Sequence, residues 1–293
     1  MLVLVIYFVI FIFQTSVYAN ANAFTSFSCF SMGGAGYLYQ SANTQIKNPA
    51  VFNKSRSFTT SIVKYPASIR SQSLNLNLPT ENFVFSSSLK HLSYGVFKGY
   101  DEYGRSIGSY KSYETWVDGY FAKKINSFPI YLGSSMSIKS SNFHNANSKN
   151  LSTSFGLIKN FKNENNSIGI SINQFGINFF NGKRSYTNPR IVLSSSKKLK
   201  YLPAISYIDF LQEKNHTEVF MGICFIYSEK IKILAGSSTR KFDQNTSQSL
   251  ITSLLGSTGF GLSYGTKKIL VQYGFYYYGI GTRVDGLNIG MSF

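Results

Sequence analysis

The chain has 293 residues and a formal charge of +17, yet only 14 % of it is charged, against 43 % hydrophobic and 16 % aromatic. That charged fraction is well below the roughly 25 % of a typical soluble domain, which argues against a conventional soluble enzyme and calls for surroundings other than water around so many rings. Beyond the first residues, no run reaches the ~20 apolar residues of a membrane helix, so a chain that crosses lipid must do so as a closed barrel whose strands satisfy one another's backbone groups.

Met1 to Val17 is apolar and uncharged, and Ala19-Asn20-Ala21-Asn22-Ala23 follows it with two overlapping A-x-A cleavage sites. Residues 1–23 therefore read as a secretory signal peptide. No Lys or Arg precedes the apolar core, and an uncleaved anchor helix is the alternative. Residues 24–57 form a plug or cap that enters the barrel. They carry Ser31-Met32-Gly33-Gly34-Ala35-Gly36, then Ala42-Asn43 and the turn signal Asn48-Pro49. The glycine spacing is not that of a dinucleotide fingerprint.

From residue 58 onward the period is two. Leu74, Leu76 and Leu78 alternate with Ser73, Asn75 and Asn77; Ile168, Ile170 and Ile172 alternate with Ser167, Gly169 and Ser171. One face is apolar and the other small and polar, as in strands between lipid and a polar lumen. Candidate strands lie near 58–65, 69–78, 82–90, 92–98, 112–125, 129–142, 149–161, 167–178, 190–198, 204–212, 218–228, 231–238, 257–265, 269–277 and 286–293. Turn clusters such as Asn181-Gly182-Lys183 separate them. The expected fold is all-β: a transmembrane antiparallel barrel of about 14 strands over 58–293, placed in the bacterial outer membrane. In the last strand Leu287, Ile289, Met291 and Phe293 share a face, an arrangement similar to the assembly signal of outer-membrane barrels.

Little chemistry is legible. His91, His144 and His216 have no partner at metal-ligand spacing and read as solvated residues near turns. Cys29 and Cys224 read as small residues, with a disulfide possible in an oxidising compartment. No catalytic, cofactor or metal site emerges, and the chain reads as a non-enzyme. Asp101-Glu102, in a loop from Gly99 to Gly108, is the one adjacent acidic pair and the candidate partner-binding loop. The basic pairs Lys123-Lys124, Lys183-Arg184, Lys197-Lys198 and Lys267-Lys268 read as rim residues. Outer-membrane lipid and lipopolysaccharide phosphates are the anionic partners open to them, and nucleic acid is excluded for an exported chain.

Several pieces in order resemble the PorV/PorQ family of outer-membrane proteins, its PorQ branch most closely: Met32-Gly33-Gly34-Ala35-Gly36 with Asn48-Pro49-Ala50, Tyr94-Gly95-Val96-Phe97 with Asp101-Glu102-Tyr103-Gly104, Ser196-Lys197-Lys198-Leu199-Lys200, and Gly259-Phe260-Gly261-Leu262 with Gln272-Tyr273-Gly274. Tyr110 and Gln272 depart from the family's usual Phe and Asp. The resemblance implies a FadL-like barrel and an accessory or anchor role in the type IX protein secretion system, with attachment proteins such as a PorZ-like protein as partners. A FadL-like passive transporter of hydrophobic small molecules is the alternative, and a membrane-embedded enzyme is a third reading that the residues do not suggest.

Overall fold

The structure is a computed structural model that describes residues 27–40, 46–125, 128–143, 146–161, 166–214, 216–240, 256–278 and 282–293. The expected signal segment 1–23 and His144 lie outside them. A one-turn helix, α1 (Phe27–Ser31), precedes β1 (Ser57–Lys64), β2 (Arg70–Pro79), β3 (Phe83–Tyr100), β4 (Ser106–Ile125), β5 (Ile130–Phe143), β6 (Ala146–Asn160), β7 (Ser167–Phe180), β8 (Lys183–Tyr186), β9 (Arg190–Lys198), β10 (Ala204–Glu213), β11 (His216–Ile226), β12 (Ile231–Ser238), β13 (Thr258–Gly265), β14 (Ile269–Tyr278) and β15 (Thr282–Ser292). Each strand pairs antiparallel with the next, except that β9 joins β7 directly and the short β8 hangs from the end of β7. The seam runs between β1 and β15, from Ser57 opposite Ser292 to Lys64 opposite Asp285. The outcome is a closed antiparallel barrel of 14 staves. Closure leaves no wall edge unpaired.

The period of two explains the wall. Along β1, Phe58 and Ile62 stand 41 % and 51 % exposed while Thr59, Ser61 and Val63 are buried. Leu287, Ile289 and Met291 on β15 point outward beside them, as do Leu74 on β2 and Val271 on β14. Water would make such a continuous apolar band costly, whereas hydrocarbon makes it favourable. Inward positions carry polar rungs: Ser61 meets Ser73 at 2.6 Å, and Asn288 donates to Gln272, which donates to Ser263.

Two turns show the local chemistry. Asn181 and Gly182 have φ of 46° and 80° and join β7 to β8 through a two-residue connection, the positive-φ hairpin that Asn-Gly favours. In β3, Gly95 adopts φ 98° at a bulge against β4. The expectation of two strands, 82–90 and 92–98, is corrected: β3 is continuous, since His91 pairs with Thr115 in regular register and the later bulge is absorbed without breaking the pairing. β4 also begins earlier than expected, at Ser106, and β8 was not expected. Residues 94–112 of β3 and β4 pair only with one another, forming an arm that stands clear of the wall. The arm, β8 and the long connection between β12 and β13 share one end of the barrel. The opposite end has only short turns and is therefore the periplasmic end.

Candidate functional site

Of the chain that precedes β1, residues 27–40 and 46–52 lie against inward positions of the wall. The wall makes room for them with glycine at inward positions. A methyl group on Gly259 would collide with the Phe30 carbonyl, one on Gly236 with the Met32 carbonyl, and one on Gly286 with the Phe30 ring. On the other side, Gly133 and Gly156 admit the Pro49 carbonyl and the Asn48 side chain. Backbone thus approaches backbone, and α1 packs into an apolar cluster. Phe30, Met32 and Ala35 are fully buried there beside Leu234, Tyr276 and Val284.

Polar latches fix the plug. The Asp209 carboxylate, on the inward face of β10, accepts the Gly36 N–H at 2.7 Å and the Tyr37 N–H at 3.3 Å. Gly36 has φ 96°, a left-handed turn that glycine adopts at no steric cost. The Lys47 ammonium donates to the Gly34 and Ala35 carbonyls at 2.6 and 2.9 Å and lies 5.0 Å from the centre of the Tyr37 ring. Burial pushes the Tyr37 hydroxyl above its ordinary pKa, so it stays a neutral phenol. Asn48 is wholly buried; its side-chain oxygen accepts the Ala50 N–H at 3.0 Å and its amide donates to the Ile170 carbonyl at 3.3 Å.

Ion pairs line the lumen around the plug. Lys90 meets Asp118 at 2.7 Å, and Ser88 also donates to that carboxylate. Lys139 meets Glu114 at 2.8 Å and lies 5.0 Å from the centre of the Trp116 ring. Arg190 meets Glu213, and Arg240 and His216 share Glu218. Burial works against the Arg240 charge, but hydrogen bonding and attraction from Glu218 outweigh it and raise the guanidinium's pKa. Arg240 also lies over the Phe220 ring, whose other neighbour is the Gly34 backbone. In each of these pairs a buried charge meets its opposite, as burial requires.

The residues singled out from sequence fall in different places. His216, expected to be solvated, is largely buried against Glu218; His91 lies mid-strand on the outer face, 3.0 Å from Thr115. Cys29 and Cys224 both carry free thiols and pack at the apolar cluster. Asp101 and Glu102 sit at the tip of the arm, in a turn shorter than the expected Gly99–Gly108 loop, where Asp101 accepts the Tyr103 and Arg105 N–H groups. Phe293 continues the outer column of β15, its N–H bonded to the Arg56 carbonyl. Among the described residues no three His, Cys, Asp or Glu side chains gather to hold a metal ion. Asp209 was missed by sequence reading, and the Gly33–Gly36 run and Asn48-Pro49 had drawn notice as a glycine-rich stretch and a turn, without their partners in the wall.

The TodX ΔS2S3 mutant monoaromatic hydrocarbon channel aligns with a TM-score of 0.52 at 11 % identity, covering 90 % of this chain and 97 % of its own. The Ralstonia pickettii toluene transporter TbuX aligns with a TM-score of 0.55 at 9 % identity, covering 94 % and 98 %. The fold is theirs. A Pseudomonas aeruginosa FadL homologue aligns over 92 % of this chain and 97 % of its own at 10 % identity, with a TM-score of 0.47. No protein-family model matches the sequence, and no curated protein matches it. The chain is a bacterial outer-membrane β-barrel of that fold.

Proposed function

We propose that this barrel is a passive conduit for small hydrophobic molecules across the outer membrane, with residues 27–40 and 46–52 as parts of its internal stopper. The observation that carries this reading is the composition of the constriction. Apolar side chains of the segment ahead of β1 seat on glycine-bearing staves, beside Phe, Tyr, Leu and Val side chains of the wall, which supports a stopper across an apolar lumen. An apolar solute loses little on entering such surroundings. The barrels similar in fold, a monoaromatic hydrocarbon channel and a toluene transporter, support the same substrate class.

The test is uptake of labelled toluene at limiting concentration by cells with an intact lipopolysaccharide leaflet, with and without the barrel. Faster uptake of toluene, with no change for a sugar of similar size, is the expected result. Equal toluene uptake with and without the barrel sinks the proposal. A second reading, an anchor of the type IX secretion system in the PorV/PorQ manner, draws on the arm of β3 and β4. The arm projects beyond the wall and carries Val96, Tyr100 and Tyr103 exposed beside Asp101 and Glu102. Copurification of a PorZ-like attachment protein that is lost on shortening the arm would favour this reading over transport.

A further inference from the structure

Basic side chains crowd the short-turn end of the barrel. Arg56, Lys123, Lys159 and Lys197 are exposed, and each extends an outward column one pleat beyond Phe58, Phe121, Leu157 and Ser195. Cross-strand pairing fixes the face: Lys123 lies opposite Phe83 and Leu132, and Lys159 opposite Ile130 and Ile168, all lipid-facing positions. The strand ends add Lys124 and Lys198, and the turns add Lys230, Lys267 and Lys268. Glu81 and Glu229 are the carboxylates described at this end, and among the described residues none of these basic groups is in an ion pair. The ion pairs lie in the lumen or in the other half of the barrel. The Lys159 and Lys200 ammonium groups sit 5.8 and 5.3 Å from the centres of the Phe161 and Tyr201 rings, at the depth where aromatic girdles meet headgroups.

We propose that this end is a binding surface for the anionic phospholipid headgroups of the periplasmic leaflet. The four column residues decide the occupant. Their stems follow the lipid-facing wall while their charges reach past it, so they face headgroups beside the barrel. An acidic protein docking from below along the barrel axis would meet the turns but not these columns. Unpaired Lys and Arg at this level are drawn to anionic lipid, with an attraction that salt screens. Lipopolysaccharide phosphates lie in the opposite leaflet; among the basic pairs, Lys183-Arg184 is the one at that end.

The experiment reconstitutes the full barrel in nanodiscs of phosphatidylcholine mixed with phosphatidylglycerol, and counts the lipids retained on extraction by native mass spectrometry. Two variants are compared: the ring variant R56Q/K123Q/K159Q/K197Q, and the control K183Q/R184Q at the other end, each checked for folding by heat-dependent gel mobility. The expected result is retention of phosphatidylglycerol over phosphatidylcholine by about tenfold or more, lost in the ring variant and kept in the control. Where the ring variant fails to fold, a salt titration of the unmodified barrel decides, since the preference must fall as salt rises. No headgroup preference, a preference indifferent to salt, a preference surviving in the folded ring variant, or recovery of an acidic protein in place of lipid overturns the proposal.

Discussion

At the residue scale, Asp209 holds a position that chemistry makes hard to replace. A buried carboxylate that accepts two backbone N–H groups ties a wall strand to a segment far away in sequence. Hydrogen bonds to a charged group are worth about 1.5–3 kcal/mol, so Asp209→Ala should loosen the plug by roughly that amount. Planar-bilayer recordings should then show brief openings that the unmodified barrel lacks; a silent variant would mean that apolar packing alone holds the plug. Gly259 gives the complementary case. A Val there would meet the Phe30 carbonyl, and the overpacking should cost about 1–3 kcal/mol. Protease cleavage within residues 31–40 of the refolded Gly259→Val protein reports it, and protection equal to the unmodified barrel would place Phe30 elsewhere.

At the scale of elements, alternation made most strands legible. Ile168 to Ile172 and Leu287 to Met291 needed only a period of two to be placed on the outer face. The reading failed where period and pairing part company. At His91 the apolar alternation falters, and a break was expected; the backbone pairing with Thr115 continues there regardless of side-chain character, and β3 runs through. β8 is four residues of polar and aromatic character with no period to read. The latch was illegible for a different reason. Asp209 falls on the polar face of Tyr207-Ile208-Asp209-Phe210, where it looks like any lumen residue, and nothing local reveals that its partners are Gly36 and Tyr37. The outward placement of Ile289, between Thr60 and Val271, carries its own test. Ile289→Lys should destabilise the barrel by ~2–4 kcal/mol toward the bilayer midplane, read by urea titration in liposomes; unchanged folding would reverse the faces. The assembly reading of Leu287, Ile289, Met291 and Phe293 predicts that Phe293→Ala lowers the level of folded barrel in the membrane, and normal levels would count against it.

At the scale of the molecule, charge is divided by compartment. Matched pairs such as Lys90–Asp118 and Arg240–Glu218 occupy the lumen, while exposed Lys and Arg outside those pairs lie toward both ends of the barrel. The net +17 of the chain therefore does not describe a uniformly basic surface; the lumen is close to balanced and the excess is carried at the rim. The sequence showed the pairs of lysines but not which rim they share, since that depends on how many times the chain has crossed the membrane.

The seam has a consequence for how the barrel comes to be. Nearly every wall contact joins strands that are neighbours in the chain, and such local hairpins form early and cheaply; β1 against β15 joins the two ends of the wall. Loop-closure entropy is concentrated in that one step, and until it is taken both flanking strands remain open edges able to capture a foreign strand. On the proposed reading the stopper precedes β1 in the chain, so it reaches the lumen with the same strand whose docking completes the wall. Corking and closure would then be one kinetic event.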